Sequence, residues 1–240
     1  MNVTRRQFLT ISGSAAFLSL EPRTRPSGQG LSGRDCLILD LKEHCSLPES
    51  LRGYQACLAD LGLHPVTVSL EMLSKLLVQA RQVIVPAAAA IEPAQARQLV
   101  SFLENGGSIL LESGLAFVEP AIWDAQRRLF RAQLGLSIQP PVQLRPSAEA
   151  HGCVPYVDYV WPWATKVRDF SRVVPVFAQR REVIAQVQGM SVGVRRKVGK
   201  GTITVLGSPL GPVLRAGDRE ARRWLGEVMS VASAQNRVLL

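Results

Sequence analysis

The order of apolar and polar residues divides the chain into short strands and amphipathic helices. Cys36-Leu-Ile-Leu-Asp-Leu41, His64-Pro-Val-Thr-Val-Ser69, Gln82-Val-Ile-Val-Pro86 and Ser108-Ile-Leu-Leu-Glu112 are brief apolar runs, the pattern of buried strands. Helical segments lie between them. Leu47-Pro-Glu49 opens one that runs to Leu61, with Leu51, Tyr54, Leu58 and Leu61 on one face. A shorter one covers Glu71–Ala80. Glu92-Pro93 starts a third, where the missing N–H of Pro93 costs nothing. Ala96, Leu99, Val100 and Leu103 form its apolar stripe, and Asn105-Gly-Gly107 closes it. This alternation predicts a doubly wound, flavodoxin-like α/β fold with a mostly parallel sheet. Ligands of such sheets bind beyond the carboxyl ends of the strands, so Pro86–Ile91 and Glu112–Phe117 face the expected working edge.

Past Gly114, Ala121–Leu134 reads as a helix with Ile122, Leu129 and Leu134 inward and Arg127, Arg128 and Arg131 outward. Pro140-Pro141 argues against a central strand over Gln139–Arg145. Val154–Phe170 holds the densest aromatics, Tyr156, Tyr159, Trp161, Trp163 and Phe170. Pro155 and Pro162 forbid a regular helix there, which predicts an ordered loop or an edge segment. Val173–Phe177, Val183–Val187, Ser191–Arg195 and Gly201–Leu206 then read as short strands. Gln188-Gly189 and Gly199-Lys-Gly201 suit tight connections between them. The expectation is an antiparallel C-terminal extension of the sheet, with Thr202–Leu206 returning to its parallel part. Gly207–Pro212 is a rigid loop. Asp218 caps a last helix that turns Ala221, Trp224, Leu225, Val228 and Met229 inward.

The N-terminus departs from this pattern. Thr4-Arg5-Arg6-Gln7-Phe8-Leu9 precedes a weakly apolar run, Phe8–Leu20, too short to span a bilayer comfortably. Residues 1–20 resemble a twin-arginine export signal, carried by Arg5, Arg6, Phe8 and Leu9. Residues 21–33, with prolines, glycines and arginines, form a linker, and 34–240 make one α/β domain. The expected address is periplasmic, reached through the twin-arginine translocase. Cleavage stays open: Ser14-Ala-Ala16 is small enough but early, and an uncleaved segment would tether the domain to the membrane.

An exported domain sits in an oxidising compartment, which gives the cysteines meaning. Cys36 and Cys57 fall on a buried strand and a helix and read as core residues, whereas Cys45 and Cys153 fall in loops and are the better disulfide candidates. Four cysteines allow three pairings, and the sequence does not choose among them. His44, His64 and His151 are scattered and no C-x-x-C occurs, so no metal site or cofactor is expected. The net charge of +9 rests on arginines spread over the chain with acidic neighbours, which fits a solvated surface better than a nucleic-acid footprint.

The βαβ core, the Pro86 loop, Asn105-Gly-Gly before the strand ending in Glu112-Ser113-Gly114, and the late Gly199-Lys-Gly-Thr-Ile-Thr-Val-Leu206 strand together resemble class I glutamine amidotransferase-like domains. They are most similar to the non-amidotransferase branch, such as the accessory domains attached to some β-galactosidases. The resemblance covers about Asp35 to Ala232. It implies a cysteine on the turn after the central strand, an oxyanion loop of glycines and a late His-x-Glu. This chain carries Ser113, Ala87-Ala-Ala-Ala90 and Ser208-Pro-Leu210 at those places. The resemblance therefore implies a catalytically inactive relative, a binding or assembly module with another exported protein or a glycan as its partner.

Ser113, beside Glu112, is the candidate nucleophile of an alternative reading as a periplasmic hydrolase. It would need a base, and His151 or His44 are the available histidines. A turn serine bonded to its own backbone is the plainer account. In the aromatic segment Tyr159, Trp161 and Trp163, with Asp158, are candidate glycan-stacking and hydroxyl-binding residues of a carbohydrate-binding accessory domain, or else core or a protein interface. Ser208, in the loop after the last strand, is a further candidate at the ligand edge.

Overall fold

In this computed structural model the described residues are 36–41, 47–88, 91–114, 120–144, 156–168 and 172–237. The export segment with Arg5, Arg6, Phe8 and Leu9, and also His44, Cys45, His151, Cys153 and Phe170, lie outside them. The elements in chain order are β1 (Cys36–Asp40), α1 (Pro48–Asp60), β2 (Val66–Ser69), α2 (Leu70–Leu76), β3 (Gln82–Ala88), α3 (Pro93–Glu104), β4 (Ser108–Ser113) and α4 (Pro120–Leu134). There follow β5 (Ser137–Ile138), β6 (Val142–Gln143), β7 (Tyr156–Tyr159), β8 (Thr165–Arg168), β9 (Arg172–Val173) and β10 (Val176–Phe177). The chain ends in β11 (Val183–Val187), β12 (Met190–Val198), β13 (Gly201–Leu206), α5 (Gly211–Arg215) and α6 (Arg219–Arg237).

One nine-stranded sheet has the order β2-β1-β3-β4-β13-β12-β11-β7-β8. The first five strands are parallel, because each is reached by a crossover or a long return. The rest run antiparallel. Tight turns join β11 to β12 and β12 to β13, a short loop joins β7 to β8, and β11 pairs with β7 after the chain has passed through β9 and β10. Gln188 and Gly189 both hold positive φ (48° and 75°), the conformation a two-residue hairpin needs. Gly199, at φ 57°, reverses the chain between β12 and β13.

These turns correct the expected flavodoxin-like, mostly parallel sheet. Four of the eight neighbouring pairings are antiparallel, so the α/β sheet is mixed. The antiparallel part is also not purely C-terminal, since the mid-chain aromatic segment supplies the two outermost strands. Val173–Phe177, expected as one strand, is two short strands flanking Val174-Pro175. They pair outside the main sheet, β9 with β6 and β10 with β5.

Both faces of the sheet are covered. On one, Tyr54 and Leu58 of α1, Leu214 of α5 and Trp224 and Leu225 of α6 pack with Ile38, Ile84 and Leu110. On the other, Leu73 of α2, Leu99, Phe102 and Leu103 of α3 and Phe130 of α4 pack with Leu37, Val83 and Ile109. Cys36 and Cys57 are buried in the first layer, as expected of core cysteines. The helix signals act as read: Glu92 and Gln95 form a capping box before α3, and Asp218 Oδ1 accepts from the Ala221 N–H at the start of α6. Leu61 is the exception on α1. The helix stops at Asp60 and Gly62 turns away with φ 74°, leaving Leu61 exposed.

Candidate functional site

The parallel strands β3, β4 and β13 end side by side, and the loop Gly207–Gly211 closes over their carboxyl edge. Glu112 and Ser113 stand there as the sequence places them, at the end of β4. Successive side chains of a strand point to opposite faces, and the two residues separate accordingly. The Glu112 carboxylate turns to α1 and α5, where Ser50 Oγ donates at 2.6 Å and the Gly211 N–H at 2.9 Å. Ser113 lies against Val173, Val174 and Arg172 instead. They do not form a dyad.

Glu112 has no solvent exposure. Burial raises its carboxyl from the ordinary 4.5 to about 7, against the opposing pull of the Ser50 hydroxyl and the Gly211 N–H. Tyr54 lies close by, and burial together with this carboxylate holds its phenol well above the ordinary value. Its hydroxyl stays outside strict hydrogen-bond geometry. A carboxyl so enclosed has no access to substrate. It ties β4 to α1 and α5, which approach so closely that a Cβ on Gly53 would lie 1.9 Å from the Gly211 carbonyl oxygen.

Ser113 is 4% exposed and its Oγ has no hydrogen-bond partner among the described residues. It lines a small cavity with Gly114, Pro141, Arg172, Gly207 and Pro209. The Gly114 N–H donates to the Ala88 carbonyl at 2.9 Å, pinning the two strand ends together. Ala87, beside them, is fully buried at φ 40°, a costly conformation for a residue with a Cβ. Among the described residues the one histidine is His64, exposed before β2 at the opposite edge of the sheet. His151 lies outside the described residues. Among the described residues Ser113 therefore has no histidine beside it. Ser208 is buried within the 207–211 loop.

The aromatic candidates sit elsewhere, on the β7–β8 hairpin. Tyr159 is 2% exposed with its ring 4.6 Å from Trp224, which makes it a core residue rather than a contact surface. Trp161 and Trp163 are half-buried beyond β7, each under a guanidinium: Arg195 lies 4.5 Å from the Trp161 ring and Arg223 4.1 Å from Trp163. The Trp224 Nε1–H donates to the Trp161 carbonyl at 2.7 Å.

The opposite face of the hairpin is open. Gln186, Asp158 and Lys166 are exposed and stand in register across β11, β7 and β8, with Asp158 and Lys166 paired at 3.2 Å. In the next row Tyr156 is 46% exposed with Arg168 5.5 Å from its ring. Sequence reading missed Gln186 and the register that sets it in one row with Asp158 and Lys166. The alternation of Tyr156-Val-Asp-Tyr159 was the available signal. Among the described residues no cluster of His, Cys, Asp and Glu fits a metal, and no helix is long and apolar enough to cross a membrane.

No protein-family model matches the chain, and no curated protein matches it. Solved structures do. A β-galactosidase from Rahnella sp. R3 matches at TM-score 0.61 and 12% identity over 88% of this chain and 32% of its own. An exo-β-1,4-mannosidase from Opitutaceae bacterium strain TAV5 matches at 0.55 and 14%, over 82% of this chain and 35% of its own. A cytoplasmic protein of Salmonella typhimurium LT2, STM1381, matches at 0.59 and 11%, over 81% of this chain and 98% of its own. The fold is thus an α/β domain of a kind that occurs within carbohydrate-cleaving enzymes. The chain spans about a third of the length of the glycosidases it matches.

Proposed function

We propose that this chain is a non-catalytic accessory module that binds carbohydrate on the open face of the β7–β8 hairpin. The observation that carries the reading is that face itself. Gln186, Asp158 and Lys166 offer an amide, a carboxylate and an ammonium in one row, and the exposed Tyr156 ring lies in the next. Sugars present hydroxyls around an apolar ring face, and such a mixture of planar polar groups and one aromatic ring complements them. The inner side of the same hairpin packs on α6, so the surface is fixed rather than formed on binding. The recurrence of the fold in glycosidases supports the carbohydrate context. The buried, separated Glu112 and Ser113 support binding rather than hydrolysis.

The module belongs, in this reading, to the non-amidotransferase branch of the amidotransferase-like domains. It is exported by the twin-arginine translocase to the periplasm and works beside another exported protein that acts on the same glycan. The test is glycan-array binding of the full chain against Tyr156→Ala and Asp158→Ala variants. Both residues are exposed, so melting should not change while glycan binding falls by about tenfold or more. Wild-type protein that retains no glycan, or variants that retain them equally, would remove the proposal.

A further inference from the structure

The buried serine that takes no part in catalysis points to a second site. Ser113 Oγ is shut off from bulk solvent and bonded to nothing among the described residues, an arrangement native interiors seldom leave unexplained. The cavity it lines has a volume of about 10 Å³, enough for one oxygen-sized group. Its walls are the apolar Pro141, Val173, Val174 and Pro209, and its remaining charged member is Arg172, half-buried on β9. Among the described residues no carboxylate pairs with Arg172. The nearest acid in sequence to Ser113, Glu112, is committed to Ser50 and Gly211 on the far side of the sheet. Gly207 completes the cavity in the one form that fits, since a Cβ there would lie 1.9 Å from the Val174 carbonyl oxygen.

We infer that this cavity, at the carboxyl edge of β4 and β13, is a binding site for a carboxylate group. One carboxylate oxygen enters the cavity and accepts from the Ser113 hydroxyl, and the other stays at the mouth on the Arg172 guanidinium. A hydroxyl donor inside and a planar cation at the rim match the two oxygens of a carboxylate. Only one oxygen-sized group fits the space, so the second oxygen of the carboxylate stays outside it. The position is where open parallel sheets take their ligands. The carboxylate belongs either to a small free acid or to an acidic sugar, and the chemistry at the site is the same. This site is independent of the hairpin face, and either stands if the other fails.

Calorimetric titration of the full chain with acetate, glucuronate and glucose at low chloride tests the inference, alongside Ser113→Ala and Arg172→Gln variants. Acetate and glucuronate binding alike indicates a small free acid, and glucuronate alone an acidic sugar. Either is expected to weaken by about tenfold in Arg172→Gln, with a smaller loss in Ser113→Ala, while glucose stays silent. Should Arg172→Gln misfold by circular dichroism, Ser113→Ala removes only one hydroxyl and carries the test. Absence of carboxylate binding, binding indifferent to both substitutions, or equal binding of glucose overturns it.

Discussion

Ser50 Oγ donates to Glu112 Oε1 at 2.6 Å from a helix 62 residues away in sequence, at a point with no solvent. With the Gly211 N–H on the other oxygen, this carboxyl joins the central strand to two helices that touch backbone to backbone. A residue that looked catalytic from its neighbour Ser113 is a tie within the fold.

Its titration gives the first prediction. In the unfolded chain the carboxyl ionises near the ordinary 4.5, and in the fold near 7. Between those values the folded state binds the extra proton. The contribution to stability is fully present below 4.5 and is lost as pH rises through 7. We expect the wild type to lose roughly 3 kcal/mol relative to Glu112→Gln between pH 4.5 and 8. Urea melts of both proteins across that range measure the difference, and parallel pH profiles would refute it.

The contact above this carboxyl predicts a steric failure. A Cβ on Gly211 would sit 2.3 Å from the Ser50 Cα, and helix backbones cannot retreat without opening the core. Gly211→Ala is expected to cost about 3 kcal/mol or more by thermal unfolding. Gly189→Ala is the control. Nothing lies within 4 Å of its Cβ, so only its positive φ opposes the change, at about 1 kcal/mol.

Arg196 is a second tie. Its guanidinium pairs with Glu182 at 3.0 and 2.7 Å and donates to the Leu134 and Gly135 carbonyls, joining β12 to the end of α4. Lysine keeps the charge but lacks the planar fork that makes four such bonds. Arg196→Lys should destabilise by about 2 kcal/mol, measured by chemical denaturation. The bond to Arg196 also lowers the Glu182 carboxyl. That contribution is present above the ordinary carboxylate value and is lost on acidification through the lowered one. The variant should therefore lose less stability in acid than the wild type.

Local order along the sequence was enough for the helices, the turns and the return of Thr202–Leu206 beside β4, because capping residues, glycines and apolar spacing act within a few positions. The role of Glu112 was not readable in that way, since its partners are 62 and 99 residues distant. The aromatic segment was legible as an edge segment, though not as two paired strands. β7 ends before Pro162, and its alternation turns Val157 and Tyr159 inward. Pro175 does interrupt, dividing an apolar run into β9 and β10. The C-terminal hairpins already make the sheet mixed, and the aromatic strands extend its antiparallel part.

The export reading carries its own test. Arg5→Lys and Arg6→Lys together keep the charge and lose both guanidinium forks. We expect the doubly substituted precursor to accumulate in the cytoplasm, followed by cell fractionation. Unchanged export would exclude the twin-arginine route.

The last prediction concerns how α6 holds the hairpin. Trp224 is completely buried, its ring against Tyr159 and its Nε1–H on the Trp161 carbonyl at 2.7 Å. Trp224→Phe keeps most of the apolar volume and removes the donor, leaving that carbonyl to water. Such a loss costs about 0.5–1.5 kcal/mol, whereas Trp224→Ala also opens a cavity and costs about 3–5 kcal/mol. The two should differ in kind as well as size. With the ring volume kept, the phenylalanine variant should stay cooperative while the amides of β7 and β8 exchange faster than those of β1 and β3, because the lost bond anchors the hairpin alone. If the hairpin face binds carbohydrate as a fixed surface, glycan affinity should fall in the same variant although Trp224 touches no ligand. Uniform exchange across the sheet, with affinity unchanged, would show that the hairpin is held without this bond.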